Sequence, residues 1–234
     1  VASKGTQAIL VNLSAQATVN VKGGRIEATA QTDSRAVNLK QQANATLNVT
    51  GGEIVGKQYG IYSWQGNTVN VSGGTIIGQT GCAVRAASKN TISILGGTLR
   101  SEGTTSAALG ISGGSCTVTI GSKDGTVKDV DIPSIDFKEA TLGSANSATV
   151  NLLSGIVREF QNWTSMKVAT VSQGKAKFLT GTDISSKLPN TNLLCQKDET
   201  SGLYEIVELT VDNAAAVISR GDQQIPCNTV GQAV

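Results

Sequence analysis

One short segment recurs along the first two thirds of the chain, and this recurrence limits the possible folds more than any other feature. Its clearest copy is Thr-Val-Asn-Val-Ser-Gly-Gly-Thr-Ile-Ile-Gly at residues 68–78. The leading threonines of all copies are Thr18, Thr46, Thr68, Thr91, Thr117 and Thr149. These spacings fall within the roughly 20–50-residue range of solenoid repeats. The chain therefore contains a repeat architecture.

The residues within one copy predict its local structure. Val69 and Val71 alternate with Thr68 and Asn70, as expected for a strand with one apolar and one polar face. The Gly-Gly pair that follows permits a sharp corner, because glycine accepts positive φ. A second strand over residues 75–78, a third over residues 82–86 and a polar corner complete one coil of a parallel β-helix.

Equivalent positions in successive copies are aliphatic, so stacking the coils would bury three apolar ladders. These ladders are Val19, Leu47, Val69, Ile92, Val118 and Val150; Val21, Val49, Val71, Ile94, Ile120 and Leu152; and Ile26, Ile54, Ile76, Leu99, Val127 and Ile156. No coil can bury its apolar face alone, so neighbouring coils must stabilise one another. The sequence predicts an all-β fold, a single-stranded right-handed parallel β-helix of about six coils, since parallel crossovers are right-handed.

The repeat also predicts the domain organisation. We expect residues 1–157 to form the β-helix, with a strand over residues 8–13 closing its N-terminal end. Pro133 is unfavourable in a central strand, so residues 132–137 are predicted to form an insertion loop. Residues 158–210 are predicted to be a small capping unit with a β-hairpin, in which Phe160 and Trp163 plug the end of the coils. Residues 211–234 are expected to begin a following module.

Composition narrows the possible partners. The net charge is only +2 and there is no run of basic residues, which argues against nucleic acid as a binding partner. No stretch approaches the roughly 18 apolar residues that span a bilayer, so membrane insertion is not expected. The chain has no histidine and its four cysteines form no CxxC motif, so no metal or other cofactor is predicted. Cys82 and Cys116 are interpreted as buried thiols, whereas Cys195 and Cys227 are either free or bridged.

The end of the chain carries a family resemblance. Phe178, the turn Asp183-Ile-Ser185, Pro189 and the hairpin residues Gly202-Leu-Tyr204 resemble the unit that ends β-helical segments in large surface proteins of gut Firmicutes. The coils carry the motif Val-Asn-Val-Ser-Gly-Gly-Thr-Ile, which is similar to repeats of the same surface proteins and to β-helices of the pectate-lyase-like superfamily. Residues 213–218 and 229–234 are similar to the start of a further unit. The resemblance implies a monomeric scaffold module of a longer extracellular protein, and its motifs specify no activity.

Two exposed features resemble functional sites, and we interpret both as structural. Polysaccharide-active β-helices need clustered carboxylates, whereas the acids here are isolated apart from Glu27 and Glu53, which are predicted to stack in adjacent coils. We therefore predict no catalytic residues, and a lyase or hydrolase remains the alternative. The outward Thr and Asn ladders resemble the flat faces of ice-binding solenoids, but the better interpretation is a solvated, hydrogen-bonded sheet.

The third strand carries the strongest binding signal. Tyr59, Tyr62 and Trp64 are three of the chain's eight aromatic residues and lie within six positions. Arg85 and Asn38 are predicted to occupy equivalent outward positions on neighbouring coils, with Arg35 and Lys40 nearby. Exposed aromatic rings beside Arg and Asn suit the faces and hydroxyls of sugars, or a protein partner. The competing interpretation is a corner cluster that only covers the third strand.

The function expected from the sequence is therefore non-catalytic adhesion. We predict a module of a bacterial cell-surface protein that binds a host or dietary glycan, or a host protein, through Tyr59, Tyr62, Trp64, Arg85 and Asn38. The alternatives are a polysaccharide-active enzyme and a spacer without a ligand.

Overall fold

The regular secondary structure of the described residues is almost entirely β-strand. The computed structural model describes residues 1–12, 16–123, 130–137, 148–171, 177–189, 192–220 and 222–227. Within these ranges no α-helix occurs, and two 3₁₀ turns lie at Trp163–Ser165 and Ser185–Lys187. The strands are β1 (Ala2–Ser3), β2 (Gln7–Val11), β3 (Thr18–Val21), β4 (Arg25–Ala28), β5 (Arg35–Leu39), β6 (Thr46–Gly56), β7 (Tyr59–Ser63), β8 (Thr68–Gly78), β9 (Val84–Ala86), β10 (Thr91–Ser101), β11 (Leu109–Ile111), β12 (Thr117–Ile120), β13 (Asp131–Ile132), β14 (Ile135–Asp136), β15 (Ala148–Leu152), β16 (Gly155–Val157), β17 (Phe160–Gln161), β18 (Met166–Val171), β19 (Phe178–Thr180), β20 (Leu193–Lys197), β21 (Tyr204–Glu208), β22 (Ala216–Arg220) and β23 (Gln223–Cys227).

These strands stack into three sheets that run along the solenoid. Sheet 1 has the order β1-β4-β6-β8-β10-β12-β15-β18, with β3 also paired to β6. Sheet 2 has the order β17-β14-β11-β9-β7-β5-β2, and sheet 3 the order β13-β16-β19-β21-β20. The pairs are parallel except at the end of sheet 3, where β21 runs antiparallel to β19 and β20. The result is a parallel β-solenoid of about six turns, which confirms the predicted fold class.

The first two predicted ladders are confirmed in register. Val19 pairs with Leu47 and Val21 with Val49, and the same pairing continues through β8, β10, β12 and β15. The side chains from Leu47 to Val150 in the first ladder are completely buried. Apolar burial along the solenoid axis thus holds the coils together, as a core shared between neighbouring repeats requires.

The third ladder is confirmed as far as Leu99, and the prediction is wrong at Ile156. Ile26, Ile54, Ile76 and Leu99 are in register and buried. Val127 lies outside the described residues, as do residues 229–234. Ile156 is only partly buried, because the neighbouring Val157 faces the core and pairs with the buried Ile132.

The predicted insertion loop at residues 132–137 is also wrong. Its residues form β13 and β14, which pair in parallel with the next coil. Ile132, Ile135 and Phe137 are buried in the core. Pro133 is exposed in the bend between the two strands, where no ladder hydrogen bond is needed from its nitrogen.

Parallel pairing continues beyond residue 157. β17, β18 and β19 stack on β14, β15 and β16, so the coils extend to Thr180 in sheet 3. Phe160 is buried between Phe137 and Phe178, with ring centroids 6.4 and 6.5 Å away. Trp163 packs against the core more loosely. These rings fill the interior of the C-terminal coils, whereas the sequence predicted that Phe160 and Trp163 plug coils that end at residue 157.

Two antiparallel hairpins follow the coils. The first, β20–β21, closes one edge of sheet 3, and the second is β22–β23. The turn that leads into the first hairpin is held by Asp183, whose Oδ1 accepts hydrogen bonds from the Ser185 N–H and Oγ. Cys195 and Cys227 are free thiols in different sheets. Cys116 is buried as predicted, and burial raises the pKa of its thiol to about 11.

A buried asparagine ladder, which the repeat pattern alone does not predict, fixes the corner between the third strand and the next coil. Asn67 and Asn90 are in equivalent positions, one residue before the leading threonine of their coils. Asn90 Oδ1 accepts from the Asn67 N–H and the Ser63 Oγ, both at 2.9 Å. Asn90 Nδ2 donates to the carbonyls of Ser63, Trp64 and Ala87. The amide therefore saturates a corner where the backbone has no strand partners.

Candidate ligand-binding site

The outer face of sheet 2 carries a row of side chains that runs along the solenoid axis. The register aligns Leu10, Asn38, Tyr62, Arg85, Gly110, Asp136 and Gln161. This alignment agrees with the sequence prediction that Asn38, Tyr62 and Arg85 occupy equivalent positions on neighbouring coils. Neighbouring members of the row lie about 4.8 Å apart, the usual spacing between paired strands.

Three aromatic rings lie together on this face, and we call Tyr59, Tyr62 and Trp64 the aromatic cluster. The Tyr62 ring centroid is 5.2 Å from that of Tyr59 and 4.9 Å from that of Trp64, with tilted ring planes. All three side chains are partly exposed. Such distances are those of favourable aromatic pairs, so the rings support one another in a fixed arrangement.

Three cationic side chains surround the aromatic cluster. The Arg35 guanidinium lies 4.7 Å from the Tyr62 centroid and 5.7 Å from that of Trp64. Arg85 lies 5.6 Å from the Tyr59 centroid, and Lys40 Nζ lies 5.7 Å from that of Trp64. Arg35 also forms an ion pair with Asp33. Partial burial raises the pKa of the Tyr59 hydroxyl, and the positive charge of Arg85 opposes this shift.

Asn38 lies in the predicted row, but the structure corrects its expected exposure. Its side chain is completely buried in β5, in register between Leu10 and Tyr62. Neither Nδ2 nor Oδ1 has a hydrogen-bond partner among the described residues. Within the same part of the chain, Arg35 Nε and Trp64 Nε1 are also buried without partners. Asn38 therefore supports the face from below and does not present its amide to solvent.

The cluster depends on two local backbone features. Gly81 lies beneath Tyr59, since a Cβ on Gly81 would be 2.8 Å from Tyr59 Cε1. The Trp64 carbonyl accepts a hydrogen bond from the buried Asn90 amide, which fixes the corner that carries the indole. A glycine and an asparagine on the following coil thus position the aromatic rings.

Two depressions flank the aromatic cluster. The Trp64 depression, of about 320 Å³, is lined by Asn12, Lys40, Gln41 and Trp64. The Arg85 depression, of about 180 Å³, is lined by Cys82, Arg85, Thr105, Ser106, Ala107, Gly110, Ile111, Ser112 and Asp136. Asn12, Gln41, Gly110 and Asp136 were not predicted from the sequence, although their positions in the repeat place them next to Lys40, Trp64 and Arg85.

The carboxylates on sheet 1 are arranged differently from the prediction. Glu27 and Glu53 do not stack, because Glu53 is in register with Arg25 and Glu27 with Val55. Arg25 forms ion pairs with both glutamates. Its guanidinium lowers the pKa of the Glu27 carboxyl. The two acids therefore share one cation, which is unlike a free acid and base pair.

The polar ladder on the outer face of sheet 1 is hydrogen-bonded along the solenoid. Asn48 Nδ2 donates to Asn20 Oδ1, and Asn70 Nδ2 donates to Asn48 Oδ1, both at 2.9 Å. Asn151 Nδ2 donates to Thr119 Oγ1. These amides satisfy one another, as expected for a solvated structural ladder.

The contrast between Asn38 and Asn48 yields a stability prediction. Asn38→Leu is expected to raise the free energy of unfolding by about 1–2 kcal/mol, because it removes a buried amide that lacks partners. Asn48→Leu is the matched control on the other sheet, and it should lower stability because it breaks the ladder to Asn20 and Asn70. Urea unfolding followed by circular dichroism measures both changes. A loss of stability in Asn38→Leu would contradict the burial argument.

Comparisons of the chain with protein-family models, with curated proteins and with solved structures found no significant match. Among the helical segments that the structure describes, none is long and apolar enough to cross a membrane. The described residues contain no group of three or more Cys, Asp or Glu side chains placed to hold a metal ion. The geometry of sheet 2 is thus the main basis for a functional proposal.

Proposed function

We propose that this solenoid is a non-catalytic binding module that recognises a glycan on the outer face of sheet 2. The observation that carries the proposal is the meeting of a partly exposed aromatic cluster with a depression lined by Asn12, Lys40, Gln41 and Trp64. Binding sites commonly combine an apolar surface with a few polar groups that fix orientation.

The chemistry of the Trp64 depression matches that of a sugar ring. The C–H face of a sugar is apolar and packs on an aromatic ring such as the indole. The amides of Asn12 and Gln41 can both donate to and accept from hydroxyls, and the Lys40 ammonium donates. Lys40 and Trp64 are partly exposed, so a ligand reaches them without unfolding the coil.

The unpartnered groups beneath the cluster add support. Buried polar groups without hydrogen bonds cost stability and are rare in native proteins, so each one calls for an explanation. Asn38, Arg35 and Trp64 contribute such atoms within one small region of the described structure. A surface selected for binding explains why this region keeps polar groups where aliphatic ones would be more stable.

The proposal places the module at a bacterial cell surface. The resemblance of Phe178, the Asp183 turn and the Gly202-Leu-Tyr204 hairpin to surface proteins of gut Firmicutes supports this location. Host and dietary glycans are both consistent with it. An enzymatic role has less support, because Glu27 and Glu53 are both paired to Arg25 and form no free acid and base.

The double variant Tyr62→Ala with Trp64→Ala tests the proposal. We expect it to weaken glycan binding by about 30-fold or more, the effect of removing a central aromatic contact worth about 2 kcal/mol. Glycan and host-protein arrays would find the ligand, and calorimetry would measure the affinity of native and variant proteins.

The matched control is Thr68→Ala with Asn70→Ala on sheet 1, which should leave glycan affinity unchanged. Circular dichroism of both double variants checks that the coils remain folded. Native affinity in the Tyr62 and Trp64 variant would contradict the site. Array signals confined to proteins would replace the glycan with a protein partner, and product release from polysaccharides would favour the enzyme.

A further inference from the structure

We infer that the ligand is an internal stretch of a linear polysaccharide, bound along the solenoid axis from the Trp64 depression to the Arg85 depression. This inference rests on the proposed function and adds the ligand's shape and length. It differs from recognition of a terminal sugar, which would need only one depression.

The two depressions belong to one continuous surface. Arg85 lines the second depression and also lies over the Tyr59 ring of the aromatic cluster. Lys40 follows β5 and Asp136 lies in β14, so four coil steps separate these two residues, and Asn12, which follows β2, lies one step farther out. At about 4.8 Å a step, the span is about 19 Å, which is longer than a single sugar ring.

Gly110 makes the surface dip between its two charged neighbours. It stands in the outward row between Arg85 and Asp136 and contributes no side chain. A Cβ at this position would be 2.7 Å from the Cys82 Sγ, so the Cys82 thiol lies beside Gly110 and forms part of the floor. Thr105, Ser106 and Ser112 supply hydroxyls around this floor. The dip is therefore a polar trough that suits the hydroxyls of a second sugar unit.

The charges of the surface favour a neutral or weakly acidic polymer. Its cations are Arg35, Lys40 and Arg85, and its acids are Asp33, paired with Arg35, and Asp136 in the second depression. With charges this nearly balanced, the surface would not strongly repel a ligand of either sign. A ligand with a charge on every sugar would gain little affinity from those charges. The aromatic end would hold the chain by packing, and the Arg85 end by hydrogen bonds.

Oligosaccharide series of defined length test the inference. The probes are cello-oligosaccharides, β-1,4-manno-oligosaccharides and hyaluronan oligosaccharides of one to eight sugar units, titrated by calorimetry. For the series that binds, we expect affinity to rise with length until the ligand spans about 19 Å and then to level off. Trp64→Ala should weaken binding of every length.

Asp136→Ala and, separately, Thr105→Ala should weaken only the longer ligands, by about 5- to 10-fold, because short ligands occupy the Trp64 depression alone. Melting temperatures show whether either variant disturbs the coils, and Thr105 is exposed, so its substitution leaves the core intact. Full affinity for a single sugar would overturn the inference and leave the proposed function standing. The same conclusion would follow if neither Asp136→Ala nor Thr105→Ala changed affinity at any length while Trp64→Ala still weakened binding. Absence of binding by the native protein to all three series would contradict the proposed function as well.

Discussion

Gly73→Ala is expected to lower the free energy of unfolding by about 1–3 kcal/mol or more, the cost of forcing atoms into a packed interior. A Cβ at Gly73 would lie 2.5 Å from the Thr50 carbonyl oxygen of the coil beside it. The strand cannot move away, because β8 is held in register between β6 and β10. The whole stack would have to open at this corner.

The first coil provides the matched control. Gly23 is the equivalent first glycine of its pair, it does not have a positive φ, and a Cβ there would meet nothing within 4 Å. Gly23→Ala should therefore be neutral or stabilising by a few tenths of a kcal/mol through the unfolded chain. Urea unfolding monitored by tryptophan fluorescence and circular dichroism compares the two. Equal losses in both variants would contradict the role of close coil packing.

The second glycine of the pair carries an additional constraint. Gly74 has a φ of 82°, and a Cβ added there would lie 2.8 Å from the Gly52 carbonyl oxygen. Gly24 has a similar φ of 75°, but a Cβ added there would meet nothing within 4 Å. The left-handed backbone costs an ordinary residue about 1–2 kcal/mol at either position. Gly74→Ala should therefore lower the free energy of unfolding by more than Gly24→Ala does. The difference between the two losses measures the contact between coils alone.

Asn90→Ala is expected to lower stability by about 2–4 kcal/mol, because several buried groups would lose their hydrogen-bond partner at once. Asn90 is 1% exposed, and its amide is bonded to five groups around the corner. The Trp64 carbonyl is among them, so the variant should also weaken ligand binding by releasing the corner that carries the indole. Tryptophan fluorescence would report the change at Trp64.

Two further variants separate the effects at this corner. Asn90→Asp keeps the acceptor oxygen but loses the amide donors, so it should also be destabilising, and more so at pH values where the carboxyl is charged. Asn151→Ala removes an amide from the outer face of sheet 1, where its Nδ2 bonds to Thr119, and should cost little. A native melting temperature in Asn90→Ala would show that the corner is not held by this amide.

The sequence was sufficient to predict the coil and most of its register. Alternation in residues 68–71 assigns the strand and its buried face, and the same pattern in each copy aligns the copies. This works because strand periodicity is local and the repeats are alike, so one coil describes its neighbours. The prediction failed at residues 132–137 and at Ile156, where the copies diverge and a proline suggested a loop. There the buried side chains belong to strands that only pairing with the next coil identifies.

The candidate site was predicted only in part. The row that contains Asn38, Tyr62 and Arg85 followed from equivalent positions in the repeat, since parallel strands keep equivalent residues in line. The same row did not reveal that Asn38 is buried, because its exposure depends on how far the side chains beside it reach. The corner role of Asn90 was equally hidden, since its partners belong to several different segments.

By itself, the sequence determined a stack of parallel coils, because its apolar alternation and glycine pairs are properties that each coil carries locally. Only the tertiary structure decided which polar residues face the core, which aromatic rings meet and where the surface forms depressions. Those features arise between side chains of different coils, where lengths, angles and packing set the outcome. The Trp64 and Arg85 depressions are of this kind, because each is lined by residues from more than one coil.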